Sequence, residues 1–177
     1  MVLKSNMFSN SGIVFFPSGI KLTGTLSNAF QYSPILHLDL SGLENITDMY
    51  STFYSCKNLH TLIINDNFGK GVTNMYQIFS GCTNLSSSLT LDISSCTQMY
   101  NAFNGCNKIP YIKLIGDPSN IKSSDSIFNG CVKLTYLSVP EDFPLFGSYG
   151  HLGEIKVPKI YGSFDYSKCT AYGSSYY

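Results

Sequence analysis

Apolar and polar residues alternate in short bursts that recur along the chain. The clearest burst is Leu-x-x-Leu-x-Leu, seen as Leu59-x-x-Leu62-x-Ile64, Ile109-x-x-Ile112-x-Leu114 and Leu134-x-x-Leu137-x-Val139. Ile35-x-x-Leu38-x-Leu40 starts one residue early, and Leu85…Leu89-x-Leu91-x-Ile93 carries one inserted residue. Alternation over this length predicts a short strand with one buried face. Between the bursts stands a second pattern, Met-Tyr-x-x-Phe with a cysteine three residues after the Phe. It reads Met49-Tyr50…Phe53…Cys56, Met75-Tyr76…Phe79…Cys82 and Met99-Tyr100…Phe103…Cys106, with worn copies at Phe128…Cys131 and Phe30…Ser33. The five Phe lie 23, 26, 24 and 25 residues apart. A period in that range predicts a solenoid, whose repeats bury their apolar sides only against one another.

The Met–Phe segment reads as a short helix. Met, Phe four residues on and Cys seven residues on fall within about 60° of one another on a helical wheel, which makes a single buried stripe. Thr47, Thr73 and Thr97 stand where a hydroxyl caps free amides, and Gly81, Gly105 and Gly130 stand where a left-handed glycine ends a helix. Tyr50, Tyr76 and Tyr100 sit off the stripe, half buried, with the hydroxyl toward solvent or a neighbouring backbone. Each repeat is thus expected to be a strand, a variable turn, a helical turn or two, and a return. The turn is long at Asn65–Gly71 and short at Ser94–Cys96.

This pattern divides the chain into an N-terminal cap or degenerate first rung (1–28), a solenoid (29–143) and a last segment (144–177). In the first, Ile13-Val14-Phe15-Phe16-Pro17 predicts a strand that caps the stack. In the last, Ile155-Lys156-Val157-Pro158 echoes Leu137-Ser138-Val139-Pro140 as a degenerate rung. A Tyr-rich tail follows with Tyr161, Tyr166, Tyr172, Tyr176 and Tyr177, read either as a flexible end or as a docking segment.

Composition narrows the function. At 177 residues the chain fits one domain, and eleven Lys balance eleven acids with no Arg. A neutral, Arg-free chain argues against nucleic acid and anionic membrane surfaces as partners. Low charge with abundant Ser, Asn, Thr and Tyr fits proteins that work outside a cell or in large assemblies. No stretch is long and apolar enough to span a bilayer. The start lacks the marks of a secretory signal, so the expectation is a removed leader or a route that needs none. Cys56, Cys82, Cys106 and Cys131 fill one slot in successive repeats without paired ligand spacing or a nearby His. That predicts a ladder of buried thiols, with disulfides as the alternative and no metal. Cys96 and Cys169 lie outside the ladder.

Val72-Thr73-Asn74-Met75-Tyr76-Gln77-Ile78-Phe79-Ser80-Gly81-Cys82-Thr83-Asn84-Leu85 resembles the repeat of the BspA-like leucine-rich-repeat family, and Ile46–Leu59 resembles it nearly as well. The resemblance covers about residues 25–143. It implies an α/β repeat fold, a right-handed leucine-rich-repeat solenoid with a narrow parallel sheet and short helical turns. It also implies occurrence on bacterial or protist surfaces or in phage-borne proteins, roles in adhesion, and no catalytic residues.

Nor do the residues themselves assemble a catalytic set. His37, His60 and His151 fall at different repeat positions, and no phosphate loop or nucleophile motif occurs. Asp39 and Asp92 are candidates for glycan hydrolysis, a remote alternative. The expected working surface is the solvent side of the sheet, with His37, Asp39, Thr61, Tyr111, Lys113 and Tyr136 as binding residues. Tyr111 and Tyr136 should stack on adjacent rungs beside Lys113 and His37, either to hold a sugar face or peptide or as ordinary cross-strand pairs. The function expected is a non-catalytic protein- or glycan-interaction module of a surface-displayed or virion-associated assembly. A purely structural subunit with the repeats as a rigid spacer is the alternative. Protein subunits, a host surface protein or a glycan are the expected partners, a homo-oligomer is open, and no cofactor is expected.

Overall fold

The computed structural model describes residues 1–140, 143 and 144. They wind into a parallel-strand β-solenoid of about six coils, marked by Phe8, Phe30, Phe53, Phe79, Phe103 and Phe128. The strands are β1 (Val2–Leu3), β2 (Leu22–Gly24), β3 (His37–Asp39), β4 (Leu43–Ile46), β5 (Thr61–Ile63), β6 (Leu89–Asp92), β7 (Tyr111–Ile115) and β8 (Tyr136–Ser138). All pair in parallel, in the orders β1-β2-β4, β3-β5 and β6-β7-β8. A third row consists of single bridges, Asp48↔Asn74, Asn74↔Gln98 and Gln98↔Ser123.

Among the described residues there is no helix, which corrects the expected helical turns. Each Met–Phe segment is a chain of β-turns. In the third coil, the N–H groups of Thr52, Tyr54 and Cys56 close turns on the carbonyls of Met49, Ser51 and Phe53. The alternate N–H groups, of Ser51, Phe53 and Ser55, donate to Tyr76, Ile78 and Ser80 of the next coil at 2.8–2.9 Å. The reason is a left-handed residue every fourth position: Ser51 and Ser55, Gln77 and Gly81, Asn101 and Gly105, Ser126 and Gly130, all with φ between 48° and 77°. Such residues suit the third place of a turn and cannot continue a right-handed helix. The glycines are therefore left-handed as expected, but inside turns. The threonines are not caps either: the Thr73 and Thr97 hydroxyls donate to the carbonyls of Thr47 and Thr73, one coil back.

The Met, Phe and Cys side chains still share the core. Met49, Met75 and Met99 are buried, and the Phe rings stack nearly parallel with centroids 5.2–5.8 Å apart. Each such pair contributes about 0.5–1.5 kcal/mol beyond its area burial. The thiols of Cys56, Cys82, Cys106 and Cys131 donate to the carbonyls of Phe30, Phe53, Phe79 and Phe103 at 2.8–3.2 Å. They are free and buried, as is Cys96. Ser33 fills the same slot and donates to Ile13 instead.

Two irregularities position the surface. The first strand is Val2–Leu3, not Ile13–Pro17, where Phe15 makes only a single bridge to His37. Phe16 turns inward and meets Phe8 and Phe30 edge-on, and Pro17 has no N–H to extend the pairing. Second, the insertion Ser86–Ser88 separates β5 from β6. The Leu62 N–H donates there to the Ser87 hydroxyl at 2.8 Å.

Candidate functional site

The sheet side carries the predicted binding residues in two groups. His37 pairs with Thr61 and Asp39 with Ile63 across β3 and β5. Tyr111 pairs with Tyr136, and Lys113 with Ser138 and Thr90, across β6, β7 and β8. His37 and the tyrosines thus belong to different sheets, because the serine insertion breaks the ladder, and His37 does not stand beside Tyr111. Period-two alternation turns Leu38, Leu62, Ile112 and Leu137 into the core and leaves His37, Thr61, Ile63, Tyr111 and Tyr136 at least partly exposed. Ser138, two residues after Tyr136 and so on the outward side by alternation, is nonetheless buried.

Tyr111 and Tyr136 stack at 4.3 Å between centroids and 5° between planes. Burial raises the Tyr111 hydroxyl above its ordinary pKa, with the charge of Tyr136 and the hydrogen bond that Tyr111 donates to it adding to the effect. The two facing ring surfaces are therefore closed to any ligand. His37 and His60 lie edge to face at 6.3 Å, and a ring nitrogen of His60 lies 3.3 Å from the Thr61 hydroxyl. Exposed apolar groups here include Phe15 at 72 % and Ile63 at 51 %. Phe15 is not among the residues expected on this face; in the sequence it reads as part of a strand that caps the stack.

The charges divide between the borders of this face. Asp39, Asp66, Asp92 and Asp117 follow the ends of β3, β5, β6 and β7 or close them. Asp39, Asp92 and Asp117 each accept the backbone N–H two residues on, at 2.9 Å. The Ser41 hydroxyl and then its amide hold the Asp39 carboxyl below its ordinary pKa, while the Ser119 amide and then its hydroxyl do so for Asp117. Lys57, Lys108 and Lys133 are exposed on the turns that lead into β5, β7 and β8. Lys113 stands between the two borders.

Elsewhere, Tyr50, Tyr76 and Tyr100 form a second column, stacked at 5.2 and 5.3 Å, with Tyr76 and Tyr100 half buried as expected and Tyr50 exposed. Burial, followed by the charges of Tyr50, Tyr100 and Tyr54, raises the Tyr76 hydroxyl. A cavity of about 570 Å³ lies between β4 and the long turn, over Ile46, Met49, Phe68 and Val72. Among the described residues no three His, Cys, Asp or Glu side chains converge as metal ligands, and no helix is long and apolar enough to cross a membrane. Tyr161, Tyr166, Tyr172, Tyr176 and Tyr177, with the echo at Ile155–Pro158, lie outside the described residues.

A family model described as "Mycoplasma protein of unknown function, DUF285" matches residues 24–137. No curated protein and no solved structure matches the chain.

Proposed function

We propose that this chain, which belongs to the DUF285 family, is a non-catalytic interaction module that meets a protein partner through its sheet side. The sheet side carries this reading: exposed Phe15 and Ile63 and a tyrosine pair lie between borders of opposite charge. An apolar, aromatic centre with a polar rim is the anatomy of protein interfaces. A protein partner is favoured over a glycan because the face carries exposed aliphatic and aromatic groups, Phe15 and Ile63, as well as the tyrosine pair. The finer kinship with BspA-like leucine-rich-repeat proteins, and display on a cell surface or a particle, belong to the same reading, supported by the repeat sequence.

The test places a photo-crosslinking residue at Ile63 or, as control, at Asn28 on the turn side. Cells and particles of the source organism or its host are then exposed to each protein. The module should capture protein from position 63 and not from position 28. Capture of glycan alone, or turnover of a glycan panel, would overturn the reading.

A further inference from the structure

On the reading that the sheet side is the working face, we infer that its partner is a second copy of this chain, docked face to face with the two solenoid axes parallel. The charge pattern selects both the occupant and the arrangement. Along the strands the face runs from a basic border (Lys57, Lys108, Lys133) to an acidic border (Asp39, Asp92, Asp117, with Asp66). A twofold axis parallel to the solenoid axis reverses the strand direction of the second copy. Each acidic border then lies opposite a basic one, on both sides of the interface. A twofold axis along the strands would instead set acid against acid and lysine against lysine. Under that axis each coil faces the same coil of the second copy, which sets Lys57 against Asp66 and Lys108 against Asp117, with Asp39 and Asp92 one coil from the nearest border lysine. Between the borders, Phe15, Ile63 and the Tyr111–Tyr136 pair supply the apolar groups that such a dimer would cover, and Lys113 of each copy stands among them.

The acidic border can be neutralised without breaking its turns. Asn65 accepts the N–H of Asn67 at 3.0 Å just as Asp39 accepts that of Ser41, so asparagine performs the same turn chemistry. Sedimentation of the full chain at low and high salt measures the dimer. The wild type should dimerise and weaken with salt. The D39N/D92N/D117N variant should weaken the dimer by about tenfold, as expected for several rim pairs lost together. The K57E/K108E/K133E variant should weaken it further. An equimolar mixture of the two variants should associate better than either alone, since one opposite-charge border is restored. A monomer at all salt concentrations overturns the inference, as does a dimer that D39N/D92N/D117N leaves unchanged or strengthens. A monomer that still captures another protein from position 63 sinks only the self-association, leaving the interaction face intact. A salt-sensitive dimer in a protein that captures nothing else keeps the inference and confines the face to self-assembly.

Discussion

At the scale of single residues, the apolar ladder was readable because Phe and Cys recur in fixed slots. What each side chain bonds to was not. The thiols donate to Phe carbonyls one coil back, a contact between residues 26 to 29 positions apart. Ser33 shows that a hydroxyl fits the slot, so Cys106→Ser should be tolerated better than Cys106→Ala, which leaves the carbonyl of Phe79 one donor short. Thermal unfolding of both variants compares them. Burial raises the thiols of Cys56 and Cys131 from 9.0 to about 12. These groups stay protonated in the fold after the unfolded chain has begun to ionise. Their contribution is whole below pH 9 and is lost as pH climbs from there toward 12. Urea unfolding at stepped pH should show stability falling across that window, less steeply in the C56S/C131S variant.

At the scale of elements, strand positions were legible from period-two alternation, and β3, β5, β7 and β8 fall on the Leu-x-x-Leu-x-Leu bursts. The helical reading failed because Met and Phe four residues apart fit either a helix or two consecutive turns. The deciding feature is backbone φ at Ser51, Gln77 and Asn101; asparagine favours the left-handed state, but Ser51 and Gln77 are residues whose composition does not announce it. Gln77→Gly should therefore raise stability by about 1 kcal/mol and Gln77→Val should lower it by at least as much, measured by urea unfolding. The sheet break at Ser86–Ser88 was visible as an insertion, but its repair was not. Ser87→Ala leaves the Leu62 N–H without its acceptor and should cost about 1–3 kcal/mol in the same assay.

At the scale of the whole molecule, the fold is a column in which, among the described residues, interior rings have two or more stacking partners and the last ring has one. Phe79 meets Phe53, Phe103 and Phe68, whereas Phe128 stacks on Phe103. Truncation of Phe79 to Ala should cost about 3–5 kcal/mol and exceed the cost of Phe128→Ala, as read from chemical denaturation. The candidate site was half legible at this scale. Alternation named the outward residues, but only the coil register shows that His37 and Tyr111 stand apart and that Phe15 joins the face.

The stacked column of turns is the premise on which the surface and its charges depend. Nuclear Overhauser contacts in the labelled protein test it directly. Ring-to-ring contacts should link Phe53 to Phe79 and Phe79 to Phe103, and the amides of residues 49–56 should lack an unbroken helical run. A continuous amide-to-amide run there, with no contact between those rings, would contradict it.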